Sequence, residues 1–152
     1  MISETTAPKT DAEVKADKIE QYMAQCNGCE NWYRHGFNRS MIYTAGVNFV
    51  AETAGAFWLI DAIASHCTKP RLMKDPMLRD FQIWVLKTDL QKQNAVLTCQ
   101  SDTGEKAAIR QPISYTDFCM PEIKFYVERG GNIDERKGEV TTHFCLMLAS
   151  ER

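Results

Sequence analysis

The amino-acid sequence predicts an α+β domain, and three observations carry that prediction. A segment from about Ala45 to Ser65 repeats its apolar residues at helical spacing. The latter half of the chain instead alternates apolar and polar residues in short runs separated by turn formers. Helical patterns come first and strand patterns later, and that segregation distinguishes α+β packing from an alternating parallel fold. The expected architecture is an antiparallel sheet of about five strands, with one long apolar helix and one shorter N-terminal helix packed against it.

With 152 residues, 44% hydrophobic and 25% charged, the chain is large enough to bury one real core. Residues 1–10, including Ser3, Thr5, Thr6 and Pro8, offer little to bury and are expected to form a flexible tail. Residues 11–150 are expected to fold as a single compact domain. Asp11 is placed to cap a helix running to about Gln25, whose apolar content is limited to Val14, Ile19, Tyr22 and Met23 and a few alanines. Asn27 and Gly28 then favour a tight turn. The aromatic and basic segment from Asn31 to Phe37 is either a connection pinned to the core or a surface for a partner.

After Met41 to Thr44 the long helix begins, and Val47, Val50, Ala51, Ala54 and Trp58 share one of its faces. Asp61 falls among Phe57, Trp58, Leu59, Ile60 and Ile63, and a carboxylate there is expected to be a buried anchor that needs donors. Pro70 ends the helix and a loop follows to Asp80. Strands are predicted over Phe81 to Leu86, Ala95 to Gln100, Ala107 to Gln111, Ile123 to Glu128 and Val140 to Leu148. Gly104 suits the turn between the second and third of them.

The net charge of −2 supplies no global field for a nucleic-acid backbone. Lys69, Arg71, Lys74 and Arg79 form the densest basic run, a candidate for local nucleic-acid contact, although Asp75 and Asp80 interrupt it. Glu4 and Lys9 do not suit a secretory leader, and Val47 to Ala64 is too polar to cross a bilayer, so a cytoplasmic protein without membrane contact is expected. Its six cysteines are then expected to be reduced.

Chemical motifs are sparse. Cys26 and Cys29 have the spacing of half a zinc site, and His143 with Cys145 could supply the other half, since alternate strand residues share a side. A single such pair is a weak signal, so no cofactor is expected and zinc is the alternative. Asp61, His66, His143 and Asp117 are acid/base candidates if they converge. Tyr115 to Phe118 is read first as a turn closed by Thr116 or Asp117 and otherwise as a polar rim. The chain has no P-loop, dinucleotide fingerprint, HExxH helix or serine elbow.

Asn31 to His35, Tyr43 and Thr44, the run from Ala54 to His66, Phe81 to Trp84 and Tyr115 to Phe118 occur in an order that resembles an uncharacterised family of small bacterial and phage proteins. The resemblance covers roughly Cys29 to Leu148 and implies a mobile-element accessory protein with no established activity. It also implies threonine in place of Cys29 and proline in place of Cys119, a departure that weakens any metal role shared by the family. The leading expectation is a noncatalytic phage or plasmid accessory protein that binds a host or defence-system protein through Trp32, Tyr33, Arg34, His35, Tyr115 and Tyr126. The alternatives are a small enzyme built on the Asp/His candidates and a nucleic-acid-binding protein; self-association is left open.

Overall fold

The computed structural model describes residues 8–25, 31–134 and 139–152. The first helix, α1 (Asp11–Gln25), starts where expected, but its cap is Thr10, whose Oγ1 accepts the Glu13 N–H at 3.2 Å. Ile19 is its fully buried side chain, and Tyr22 stacks on Phe49 with ring centroids 4.5 Å apart. Two short strands follow, β1 (Trp32–Arg34) and β2 (Met41–Thr44). The remaining order is α2 (Ala45–Ala54), α3 (Phe57–His66), α4 (Pro70–Met73), α5 (Pro76–Asp80), β3 (Phe81–Asp89), β4 (Asn94–Gln100), β5 (Ile109–Ile113), β6 (Glu122–Asp134) and β7 (Glu139–Leu148), closed by a 3-10 turn over Ala149–Glu151.

The class is α+β, but the sheet differs from the expected one. It has seven strands in the order β1-β2-β7-β6-β3-β4-β5, and it is mixed, because β2 runs parallel to β7 while the other neighbours are antiparallel. The expected five-stranded antiparallel sheet omitted β1 and β2, which are too short to display alternation.

The single long helix is also corrected. Gly55 adopts φ 63° and ψ 39°, its N–H bonding Ala51 O, and Ala56 N–H reaches the same carbonyl at 2.8 Å. This left-handed stop suits glycine, which lacks the Cβ that makes the conformation costly. The chain restarts as α3 in a new direction. An angular reading carried through Gly55 therefore misplaced Asp61, which is exposed rather than buried. The expected loop before Asp80 contains α4 and α5; Asp75 Oδ1 caps α5 by accepting Met77 N–H at 2.9 Å.

Register divides the sheet into two unlike faces. Trp84 lies beside Cys99 and Phe125, Leu86 beside Leu97 and Ile123, and Phe125 beside Leu148. These residues join Val47, Val50, Ile60 and Ile63 in one buried cluster beneath the helices. Ile83 and Val85, pointing the other way, are buried yet lie outside that cluster. The hollows on their side are lined by strand residues and by the turn after β4, with no helical residue among them.

Cys67 and Cys99 are fully buried, and burial pushes both thiols up to about 12. Cys119 is pushed up for the same reason. A folded-state thiol raised in this way favours the fold fully below the ionisation of the unfolded thiol, near pH 8.5–9, and loses that contribution as pH rises toward about 12. Native protein at about pH 8 should therefore leave Cys67 and Cys99 unlabelled by a thiol reagent that modifies both after denaturation. The melting temperature should fall between about pH 9 and 11. Rapid native labelling of Cys67, located by peptide mapping, would contradict this burial.

Candidate functional site

The loop joining β1 to β2 is locked to the end of α3. Asn38 Nδ2 donates to Ala64 O at 2.9 Å and to Thr68 Oγ1 at 3.1 Å, while its Oδ1 accepts Ser40 Oγ–H at 2.7 Å. Asn38 N–H donates to His35 Nδ1 at 3.1 Å, which makes Nδ1 the unprotonated nitrogen. His35 Nε2–H is left to donate to Asp61 Oδ1 at 2.7 Å. His35 is buried and the edge of its ring meets Phe37. Both its nitrogens hold the hairpin in place, and Asp61 anchors that loop from the surface.

The anchored hairpin presents its two faces differently. Trp32 and Arg34 share the open side of the sheet with Ile42, Cys145 and Met147, by register and by the trough they line. Tyr33, between Trp32 and Arg34, alternates toward the other side, where it stacks on Tyr43 at 5.6 Å, and it still borders the trough. The trough has a volume of about 700 Å³ and is open to solvent at Trp32, which is 52% exposed. Glu128 and Gly130 on β6, with His143 beside them on β7, complete its far wall. A Cβ on Gly130 would come within 2.8 Å of His143 Nε2, so a larger residue there would have to push the imidazole aside.

Next to the trough, Arg152 lies over Phe81 with its guanidinium carbon 4.3 Å from the ring centroid and 5.8 Å from that of Tyr126. Its Nη2 is 3.8 Å from Glu128 Oε1. Beyond it, a second hollow of about 540 Å³ has Ile83, Val85 and Val96 in its floor and Lys87, Arg110 and Lys124 around it. Among the residues lining the two hollows, Arg34, Lys87, Arg110 and Lys124 share this face with Glu122 and Glu128, while Asp89 follows Lys87 on the same side of β3 and Asp134 pairs with Glu139 at the far end of β6 and β7. The second hollow, with three cations and one carboxylate around it, is thus locally basic on a chain of net charge −2.

Of the residues expected to meet a partner, the structure brings Trp32, Arg34 and Tyr126 onto one face. Tyr33 and His35 lie on other sides of the hairpin, and Tyr115 is exposed in the loop after β5. The acid/base candidates do not converge. Asp61 bonds His35, whereas His66 Nε2 is 2.8 Å from Gln111 Oε1. His143 is on the open face, and Asp117 lines a separate hollow beside α1. Thr116, not Asp117, closes the local turn, its Oγ1 accepting Phe118 N–H at 3.1 Å.

Lys69, Arg71, Lys74 and Arg79 are exposed on or beside α4 and α5, and Asp80 sits 4.0 Å from Arg79 and 3.1 Å from Arg129. His143 and Cys145 share a face of β7, but Cys26 and Cys29 lie outside the described residues. Among the described residues no three His, Cys, Asp or Glu side chains gather to hold a metal ion. No helix among them is long and apolar enough to cross a membrane.

Sequence reasoning missed Asn38, Ile42, Lys87, Arg110, Lys124, Met147 and Arg152. One signal was available: β3 carries Ile83 and Val85 opposite Trp84 and Leu86, so apolar residues occupy both its sides. The chain belongs to a family of unknown function, DUF6876, whose model matches residues 17–152. No curated protein and no solved structure matches it.

Proposed function

We propose that this member of a family of unknown function is a noncatalytic binding protein that docks another protein on the open face of its sheet. The observation that carries the reading is the one-sided packing of the sheet: helices cover one face, while the other keeps a trough floored by Ile42 and Met147 and edged by Trp32 and Arg34. An apolar floor with an exposed tryptophan and an arginine has the composition of an interface centre. The engagement of His35 with Asp61 and of His66 with Gln111 supports a binding role over acid/base chemistry. In the setting of a phage or plasmid accessory protein, the occupant is a host or defence-system protein.

Affinity capture from the native host, followed by titration with the purified partner, tests the proposal. Trp32→Ala should weaken binding roughly 30-fold, the scale of an interface anchor, and Arg34→Ala about tenfold, with melting temperatures close to that of the parent. A partner held equally well by Trp32→Ala and by the parent would place the interface elsewhere.

A further inference from the structure

The trough and the second hollow lie on the same face, and Arg152 spans the ground between them. Register follows the face from Arg34 and Ile42 on the first two strands, through Cys145 and Glu128, to Phe81 on β3. Past the intervening row of Met147, Tyr126, Ile83 and Gln100, another runs from Lys124 through Val85 and Thr98 to Arg110, and the next joins Glu122, Lys87 and Val96. Cations and aliphatic side chains thus interleave along a path that crosses the strands. At about 4.8 Å per strand spacing, the seven-stranded width is about 29 Å, the reach of an extended segment of about nine residues.

We propose that the docking segment of the protein partner is extended and acidic, with apolar side chains seated in both hollows and carboxylates directed to Arg34, Lys124, Lys87 and Arg110. This deepens the open-face reading and rests on it. Charge complementarity selects the occupant. A second copy seated hollow on hollow would bring Lys87, Arg110 and Lys124 against their own like charges, which costs binding when the charges are desolvated. A nucleic-acid single strand would meet one widely exposed ring, Trp32, because Arg152 already covers Phe81 and Tyr126. Sequence-tolerant strand binding uses successive exposed rings for successive bases. The floor of Ile42, Met147, Ile83, Val85 and Val96 instead offers aliphatic seats suited to protein side chains.

The test is a fluorescence-anisotropy titration of the intact protein at low salt. The probe is a dye-labelled peptide of about nine residues alternating glutamate and leucine, compared with its lysine and leucine twin and a thymidine oligomer of matching length. The acidic peptide should bind saturably, and both comparison probes should bind at least about tenfold more weakly. Lys87→Glu with Lys124→Glu should weaken the acidic peptide by about tenfold or more, as should added salt. If that pair fails to fold, Lys87→Gln with Lys124→Gln provides the same comparison at smaller charge change.

Absence of acidic-peptide binding, or tighter binding of the oligomer, overturns the inference. Binding that falls in Trp32→Ala but not in the charge variants removes the basic track and leaves open-face docking standing. Binding indifferent to all of these changes removes both.

Discussion

Replacing Gln82 by alanine is expected to lower folding stability by about 3–5 kcal/mol, a large effect for a polar residue. Gln82 is only 1% exposed on the helix side of β3. Its Nε2 donates to Cys67 O at 2.8 Å and Leu78 O at 3.0 Å, while its Oε1 accepts the Trp84 indole N–H at 2.9 Å. One amide therefore ties the end of α3 and the short α5 to the middle of the sheet. Alanine would leave the buried indole donor unpartnered, at about 1–3 kcal/mol, weaken two carbonyls and open a cavity. Gln82→Glu should also be severe, because a carboxylate would face the two carbonyl oxygens that now receive N–H groups. Urea unfolding measures the difference; a loss below about 1 kcal/mol for Gln82→Ala would mean that the site relaxes around the gap.

The second large effect changes sign with its background. Glu151 Oε1 accepts Thr44 Oγ–H at 2.7 Å and Leu148 N–H at 2.9 Å, and Thr44 Oγ1 itself accepts Val47 N–H at 3.1 Å to cap α2. A Cβ on Gly46 would lie 2.6 Å from the Glu151 carboxyl carbon. Gly46→Ala should therefore displace the carboxylate and cost about 2 kcal/mol, although alanine is intrinsically the better helix residue. In a Glu151→Ala background the obstruction is gone, and the same Gly46→Ala change should stabilise by up to about 1 kcal/mol. A double-mutant cycle by thermal and urea unfolding reads the coupling, and additive effects would show that the carboxylate is free to move aside.

Such contacts explain which parts of the structure were legible beforehand. The change from helical to alternating periodicity near residue 80 announces the α+β class, because each period follows from one buried face. Gly55 was visible as a helix weakness, but its left-handed φ depends on α3 turning back to pack on the core. β1 has three residues, too few for alternation, and its place follows from the bonds of His35 to Asp61 and of Asn38 to Ala64 and Thr68, 26 residues or more away. The parallel match of β2 to β7 leaves no local mark.

The site divides in the same way. Trp32, Arg34 and Tyr126 could be singled out by residue type, whereas grouping them with Tyr33, His35 and Tyr115 required a register that composition does not contain. Lys87, Arg110 and Lys124 are ordinary lysines and arginine in sequence. They become a cluster only because three strands place them on the same side. Asp61 is the clearest lesson, since an error in helix phase turned a surface anchor into an expected buried acid.

The insertion of β7 between β2 and β6 has a consequence for how the chain matures. Met41 pairs with Phe144, so the hairpin emerging early from the ribosome must wait about a hundred residues for the strand that fastens it to the rest. Until then β2 exposes an unsatisfied edge, and the sheet is held in two pieces. Slow annealing of that seam, and a tendency of nascent chains to pair with one another across it, follow from the topology alone.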